Sequence, residues 1–201
     1  MSKGIVGILG GTFNPIHNGH VELARLAHAE FDIPEILVMP TGNPSSYKRQ
    51  GDVADAMHRC NMVKYAIADY PFMKLSTLEV ERPGLTFTSD TLRELLHVYS
   101  KIYFIIGADS LFNLPTWHES EYVMTHCHLL AANRDRLNIE QLYTQIDLLE
   151  ATYGANISLM NIPDQPYSST SIRQCVHDDQ DISTMVNPQV AMYIDRHELY
   201  A

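Results

Sequence analysis

Short apolar runs alternate along this chain with stretches whose apolar residues recur every three or four positions. Residues 5–9 and 35–39 are runs of strand length bounded by Gly or Pro, and residues 21–31 between them carry apolar side chains at helical spacing. Together they predict a βαβ unit. Residues 41–51 are polar, with Gly42, Pro44 and Ser45-Ser46, and read as a loop. The spacing of Met57, Cys60, Val63 and Ile67 predicts a second helix, residues 72–80 a strand, 90–99 a helix, and 101–106, with the run Ile-Tyr-Phe-Ile-Ile, a buried strand. A strand at 128–132, a helix at 139–153 and a strand at 157–162 continue the alternation. Asn187-Pro188 supplies the N-cap and first-turn proline of a last helix, with Val190, Tyr193 and Ile194 on one face.

This order predicts an α/β fold with a doubly wound parallel sheet and ligands outside the carboxyl ends of the strands. No internal repeat, low-complexity tract or linker interrupts it, so one domain over residues 1–201 is expected, with a C-terminal helical segment from about residue 169.

Composition narrows the class. At 201 residues, 45% hydrophobic and 19% charged, the chain can bury a full core and is not expected to be disordered. No apolar run approaches the roughly 18 residues of a membrane span, and Gly10-Gly11 falls where a signal peptide would keep its apolar core, so a cytoplasmic protein without a membrane partner is expected. Cys60, Cys127 and Cys175 are odd in number and form no C-x-x-C pair, which indicates neither a disulfide framework nor a zinc ribbon. A formal net charge of −10 argues against nucleic-acid binding, so an anionic substrate needs a local basic pocket.

Three predicted strand ends carry polar groups that could form one. The first delivers Gly10-Gly11-Thr12-Phe13-Asn14 and then His17 and His20 at the start of a helix. Adjacent glycines let the backbone turn and approach a bulky anion, and histidines at i and i+3 share a face where free N–H groups and the helix dipole favour phosphate. The spacing fits neither G-x-G-x-x-G nor G-x-x-x-x-G-K-[ST]. The strand at 101–106 delivers Gly107-Ala108-Asp109-Ser110, and the last delivers Tyr167-Ser168-Ser169-Thr170-Ser171-Ile172-Arg173, hydroxyls opening a helix with an arginine one turn in. Each has a plainer reading: Ser168 to Ser171 as a cap, Asp109 as a turn cap, Trp117 as core packing, Lys48 as a solvated charge. His126-Cys127-His128 reads as the start of a strand, and no metal is assigned to it.

These motifs resemble the HxGH nucleotidyltransferase superfamily, whose H-x-G-H pattern appears as His17-Asn18-Gly19-His20 and whose I-S-S-T-x-[IV]-R pattern appears as residues 167–173. Within it the chain is most similar to the bacterial nicotinate mononucleotide adenylyltransferases, through Ile106-Gly107-Ala108-Asp109, Leu114-Pro115-Thr116-Trp117 and Thr86-Phe87-Thr88-Ser89-Asp90-Thr91, which matches S-Y-T-x-D-T. Two departures stand out: Asn14 occupies the place of the commoner Asp, and Ser45-Ser46-Tyr47-Lys48 replaces P-P-H-K.

The resemblance implies a Rossmann-like nucleotidyltransferase fold and transfer of the adenylyl group of ATP to nicotinate mononucleotide, giving deamido-NAD, a precursor of NAD, and pyrophosphate. It implies that His17 and His20 contact the triphosphate, that Arg173 and the Ser169 and Thr170 N–H groups hold its β- and γ-phosphates, and that Lys48 bridges the reacting phosphates. Gly10, Gly11, Thr12, Phe13, Gly107 and Ser168 would line the ATP site and Asp109 its ribose. Asn14, Thr86, Thr88, Trp117 and Arg134 would serve the mononucleotide, with Trp117 stacked on the pyridine ring. Magnesium would come bound to ATP, carried mainly by the substrate's own oxygens. Phosphopantetheine adenylyl transfer, a nicotinamide-preferring or cytidylyl-transferring relative, and an ATP sensor without turnover are the competing readings. Monomer and homo-oligomer are left open.

Overall fold

The computed structural model describes residues 4–42, 53–133, 137–163, 166 and 168–201. Six strands, β1 (Gly4–Gly11), β2 (Ile36–Pro40), β3 (Met73–Leu75), β4 (Tyr99–Gly107), β5 (His128–Asn133) and β6 (Asn156–Asn161), form one parallel sheet in the order β3-β2-β1-β4-β5-β6. Strand order reverses between β1 and β4, the switch point of a doubly wound sheet, and a crevice at the carboxyl ends of these two strands follows from the topology.

The central strands are near-continuous apolar runs because both sheet faces are covered. Alternate residues divide between two cores. Leu9, Ile36, Val38, Tyr103, Ile105, Leu130 and Ala132 face a core shared with α1 (Asn18–Glu30), α2 (Ala56–Ala66), α8 (Ser169–His177) and α9 (Pro188–Arg196). Val6, Ile8, Leu37, Met39, Phe104, Ile106, Leu129 and Ala131 face the other, shared with α4 (Thr88–Leu96), α5 (Ser110–Asn113), α6 (Ser120–His126) and α7 (Ile139–Tyr153).

The helix expected at 139–153 forms over those residues, capped by Asn138, whose side chain accepts from the Glu140 and Gln141 N–H groups, and ended by Gly154 at φ 67°. Asn187 caps α9 ahead of Pro188 as expected. Several elements differ. The strand expected over 72–80 ends at Leu75, and residues 78–81 turn into a short helix, α3 (Leu78–Glu81). The cause is tertiary: the Glu79 carboxylate turns inward to accept from the Thr91 hydroxyl at 2.8 Å, and its backbone lies so close to Gly42 that a Cβ there would overlap the Glu79 carbonyl oxygen. The helix expected over 90–99 stops at Leu96, because Tyr99 already pairs in the sheet. A 3₁₀ turn, Leu114–Thr116, and α6 carry no extended apolar repeat and were not expected.

His128 sits at the amino end of β5, stacked on Tyr103 with ring centroids 5.0 Å apart, its Nε2 2.8 Å from the Ser158 hydroxyl. Its Nδ1 is buried with no hydrogen-bond partner among the described residues. Burial, reinforced by Lys101 and opposed by Glu150, holds its pKa below the ordinary value of 6.5. Between the folded and unfolded pKa the unfolded chain takes up a proton that the folded chain refuses, so stability falls as pH drops below 6.5. Melting temperatures measured at about pH 7.5 and about pH 5.5 should fall less in His128→Gln than in the parent.

Candidate active site

The β1–α1 turn is shaped by residues rather than by glycine torsions. Among the described residues the glycines at positive φ are Gly84 and Gly154, whereas Gly10 and Gly11 end β1 in strand conformation and pair with Met39 and Pro40. The turn is made by Phe13, at φ 49°, and by the cis Asn14–Pro15 peptide that follows. Gly11 is required for a different reason: a Cβ would lie 2.9 Å from the Phe13 ring, which is 2% exposed. Gly10 is exposed, and the nearest atom to a Cβ there is Phe104 Cζ at 3.8 Å, so the carboxyl end of β1 is a bare floor.

His17 is the N-cap of α1, in extended conformation, and His20 is three residues on. Their rings lie 3.7 Å apart between centroids, and Phe13 meets His20 edge-on at 5.0 Å. The His17 backbone N–H donates to His20 Nδ1 at 3.2 Å. A neutral His20 therefore keeps its proton on Nε2, as a donor on the far side of the ring from the backbone.

The second phosphate-type motif docks directly on the first. Ser168 caps α8, its hydroxyl accepting from the Ser171 N–H at 3.1 Å while the Ser171 hydroxyl accepts from the Ser168 N–H at 2.7 Å. The Ser169 hydroxyl donates to the Pro15 carbonyl at 2.9 Å, and Arg173 Nη1 donates to the Asn14 carbonyl at 2.9 Å. A longer contact, 3.5 Å, joins Arg173 Nη2 to the Thr170 hydroxyl. The Ser169 and Thr170 N–H groups, in the first turn of α8, have no intrahelical acceptor and carry the positive end of its dipole.

On the neighbouring strand, the register pairs Leu9 with Ile105, so Gly10 and Gly11 run out beside Ile106 and Gly107. Asp109 is exposed and its side chain makes no capping bond to α5, which sets aside the turn-cap reading of that carboxylate. A further group lies where α4 begins. Thr86 is 8% exposed with its hydroxyl buried and without a partner among the described residues; Thr88 opens α4. Phe87 packs on His118 with ring centroids 4.2 Å apart, and Arg93 grips Glu119 with two bonds of 2.7 and 2.8 Å, holding the Glu119 carboxyl down to about 2. These contacts bring the Thr86–Thr88 corner against the loop carrying Trp117, which is half-buried against the core. Lys48, Arg134, the Ser45-Ser46-Tyr47 segment and Tyr167 lie outside the described residues.

Asn14 turns inward. It is 5% exposed, and its Oδ1 accepts from the Ala54 N–H at 2.9 Å and the Tyr200 hydroxyl at 2.8 Å. Burial outweighs the nearby Arg173 and Arg59 and pushes the Tyr200 phenol well above its usual range, keeping it protonated as the donor. Sequence reasoning missed Tyr200 and Arg59. Arg59 is 3% exposed and ends on carbonyl oxygens: Thr12 at 2.9 Å, Thr41 at 2.8 Å, Ala54 at 3.0 Å and Gly42 at 3.5 Å. The readable sign was its place, four residues before Val63 on the buried face of α2, where a charge does not belong without a reason. Nothing in the sequence around Tyr200 points 186 positions back to Asn14.

Among the described residues no group of three or more His, Cys, Asp or Glu side chains is gathered to cage a metal ion. No helix there is long and apolar enough to cross a membrane.

Comparison with known proteins agrees with this geometry. The cytidylyltransferase-like family matches residues 8–175. A protein of Lachnoclostridium phytofermentans named "Probable nicotinate-nucleotide adenylyltransferase" is 39% identical over 197 residues, covering 97% of this chain and 98% of its own. One of the same name from Clostridium perfringens is 36% identical, with 97% of each chain covered. Among solved structures, Plasmodium falciparum nicotinic acid mononucleotide adenylyltransferase complexed with NaAD superposes with a TM-score of 0.78 at 22% identity, over 98% of this chain and 97% of that one, which shows a shared fold. From the match across residues 8–175 and from relatives above 30% identity over nearly the whole chain, this protein belongs to the cytidylyltransferase-like nucleotidyltransferases, in the family of the nicotinate-nucleotide adenylyltransferases.

Proposed function

We propose that the chain transfers the adenylyl group of ATP to the phosphate of nicotinate mononucleotide, releasing pyrophosphate and forming deamido-NAD. The observation that supports this reading is the docking of α8 on the β1–α1 turn through Ser169 and Arg173, which brings the starts of two helices together. In the step, an oxygen of the mononucleotide phosphate attacks the α-phosphorus. The bond from that phosphorus to the oxygen bridging the β-phosphate breaks, and pyrophosphate leaves with that oxygen and its electron pair. No covalent enzyme intermediate is needed, so the work is positioning and charge stabilisation.

His20 Nε2–H and His17 then face the triphosphate, Arg173 with the Ser169 and Thr170 amides receives the β- and γ-phosphates, and Lys48 completes the charge by resemblance. By resemblance Gly10, Gly11, Thr12 and Phe13 line the ATP site and Asp109 serves a ribose hydroxyl; the absence of a capping bond from Asp109 to α5 is compatible with that role. Asn14 contributes through the loop it anchors. Magnesium, held on the triphosphate's own oxygens, supplies further neutralisation when bound. Thr86, Thr88, Trp117 and Arg134 serve the mononucleotide.

Pyrophosphate release measured with ATP, magnesium and each of nicotinate mononucleotide, nicotinamide mononucleotide and phosphopantetheine tests the reading. Fixed amides near Thr86 and Trp117 favour an acceptor-only carboxylate over a carboxamide. The nicotinate substrate should be preferred in kcat/KM by at least about tenfold, equivalent to about 1.4 kcal/mol. Equal values for the two mononucleotides, or turnover of phosphopantetheine alone, would move the chain to another substrate class.

His20→Ala should lower kcat by about 10² or more, as expected for a preorganised donor, with the circular dichroism spectrum retained. Arg173→Ala should lose as much activity and also some thermal stability, since its bond to the Asn14 carbonyl goes too. A folded His20→Ala enzyme with parental turnover would remove the histidine from the phosphate site.

Thr86 allows a sharper test, because its unpartnered hydroxyl is a cost to the ligand-free protein that a substrate acceptor would offset. Thr86→Val should leave the melting temperature equal or higher, raise the mononucleotide KM about 3- to 10-fold and leave the ATP KM alone. An unchanged mononucleotide KM would place the hydroxyl outside the substrate contacts.

A further inference from the structure

Arg59 holds a place the proposed mechanism does not use. It is 3% exposed, and no carboxylate lies within ion-pair reach of it among the described residues. Its donors go to four backbone carbonyls from three parts of the chain: Thr12 after β1, Thr41 and Gly42 after β2, and Ala54 ahead of α2. A buried guanidinium without a counter-ion is expensive and is retained where its fork geometry or its charge has a task.

The geometry of the peptide group says what that task is. In a planar trans peptide the C=O and the N–H point in opposite directions. The Thr12 carbonyl is held at 2.9 Å by Arg59, which lies on the buried side of the loop. The N–H of the same peptide, that of Phe13, is thereby aimed away from Arg59 and outward. Two residues later Arg173 holds the Asn14 carbonyl, so the residues on either side of Phe13, Thr12 and Asn14, both have their carbonyls turned to cations.

We infer that Arg59 is a positioning residue for the nucleotide: its fork fixes the ends of β1 and β2 relative to each other, aims the Phe13 amide at the triphosphate and lends the site a positive charge from beneath. This rests on the nucleotidyl-transfer reading but concerns a residue that does not touch the substrate. Lysine cannot replace it, because one ammonium cannot span carbonyls on three segments.

The test is ATP binding, read by calorimetry without an acceptor, so that it stands apart from the identity of the second substrate. Arg59→Met should weaken ATP binding about tenfold or more and Arg59→Lys by a smaller factor, both measured well below the melting temperature, with mononucleotide affinity within about twofold of the parent. A lower melting temperature with unchanged ATP affinity in the folded variants would make Arg59 purely structural and overturn the inference. The parent protein supplies a second arm that needs no variant. Titration with inorganic triphosphate should shift the ¹⁵N-labelled Phe13 amide resonance, and a Phe13 amide unmoved at saturation also overturns it. Parent protein that binds ATP but transfers nothing to nicotinate mononucleotide would instead refute the proposed reaction and leave the Arg59 result standing.

Discussion

The Asn14–Pro15 carbonyls are where this structure is tied together. Ser169 and Arg173 reach them from 154 and 159 positions along the chain, each with a bond of 2.9 Å. Bonds of this kind contribute about 1 kcal/mol each, more where a guanidinium donates, which is small beside the two cores. Their importance is geometric. They set the first turn of α8 against the first turn of α1, so two sets of unsatisfied N–H groups and two dipole ends converge on one volume. In the proposed reading it is the relative placement of the two helix starts, and not either alone, that receives the triphosphate.

That placement depends in turn on the sheet. Because strand order reverses between β1 and β4, their outgoing loops leave on opposite faces, and the crevice between them needs no carving by side chains. The loop after β1 is gripped by Arg59, Arg173 and Tyr200. The loop after β4 is held by the sheet itself, through the Ala108 N–H bond to the Ala132 carbonyl. A second grip, Arg93 on Glu119 with Phe87 on His118, orients the Thr86 corner. Chemistry that needs no covalent nucleophile depends on such rigidity, since misplacement of a donor by about 1 Å costs orders of magnitude in rate.

The parts legible in the sequence were those written in local signals. Continuous apolar runs marked the doubly covered central strands, the helical pattern over 139–153 marked α7, and the paired histidines marked the start of α1. The glycines were expected to make the sharp turn after β1, and they do not: both end β1 in strand conformation. Gly11 makes room for the Phe13 ring, and Phe13 itself takes the left-handed turn. What could not be read was set by distant contacts. The extended pattern after β3 yields to a helix because Glu79 finds Thr91, and the Asn14 Oδ1 accepts from Ala54 and Tyr200, partners that no local pattern announces. Arg59 was partly legible, as a charge on an apolar stripe, but its four carbonyls come from three segments that no local pattern relates.

The use of arginine resolves the conflict between an acidic chain and an anionic ligand. At a formal charge of −10 the molecule as a whole repels a triphosphate. Arg25, Arg82 and Arg93 do nothing to change this, because each is paired with a glutamate: Glu22, Glu94 and Glu119. Arg59 and Arg173 differ, since among the described residues their donors end on neutral carbonyl and hydroxyl oxygens. A carbonyl satisfies the guanidinium's hydrogen-bonding geometry without cancelling its charge, so the field of both cations survives at the β1–α1 turn. With protein and not water beneath the turn, that field is screened far less than a surface charge would be. Local arrangement thus sets the balance at this turn: glutamates pair Arg25, Arg82 and Arg93, while backbone oxygens hold Arg59 and Arg173 without cancelling their charge.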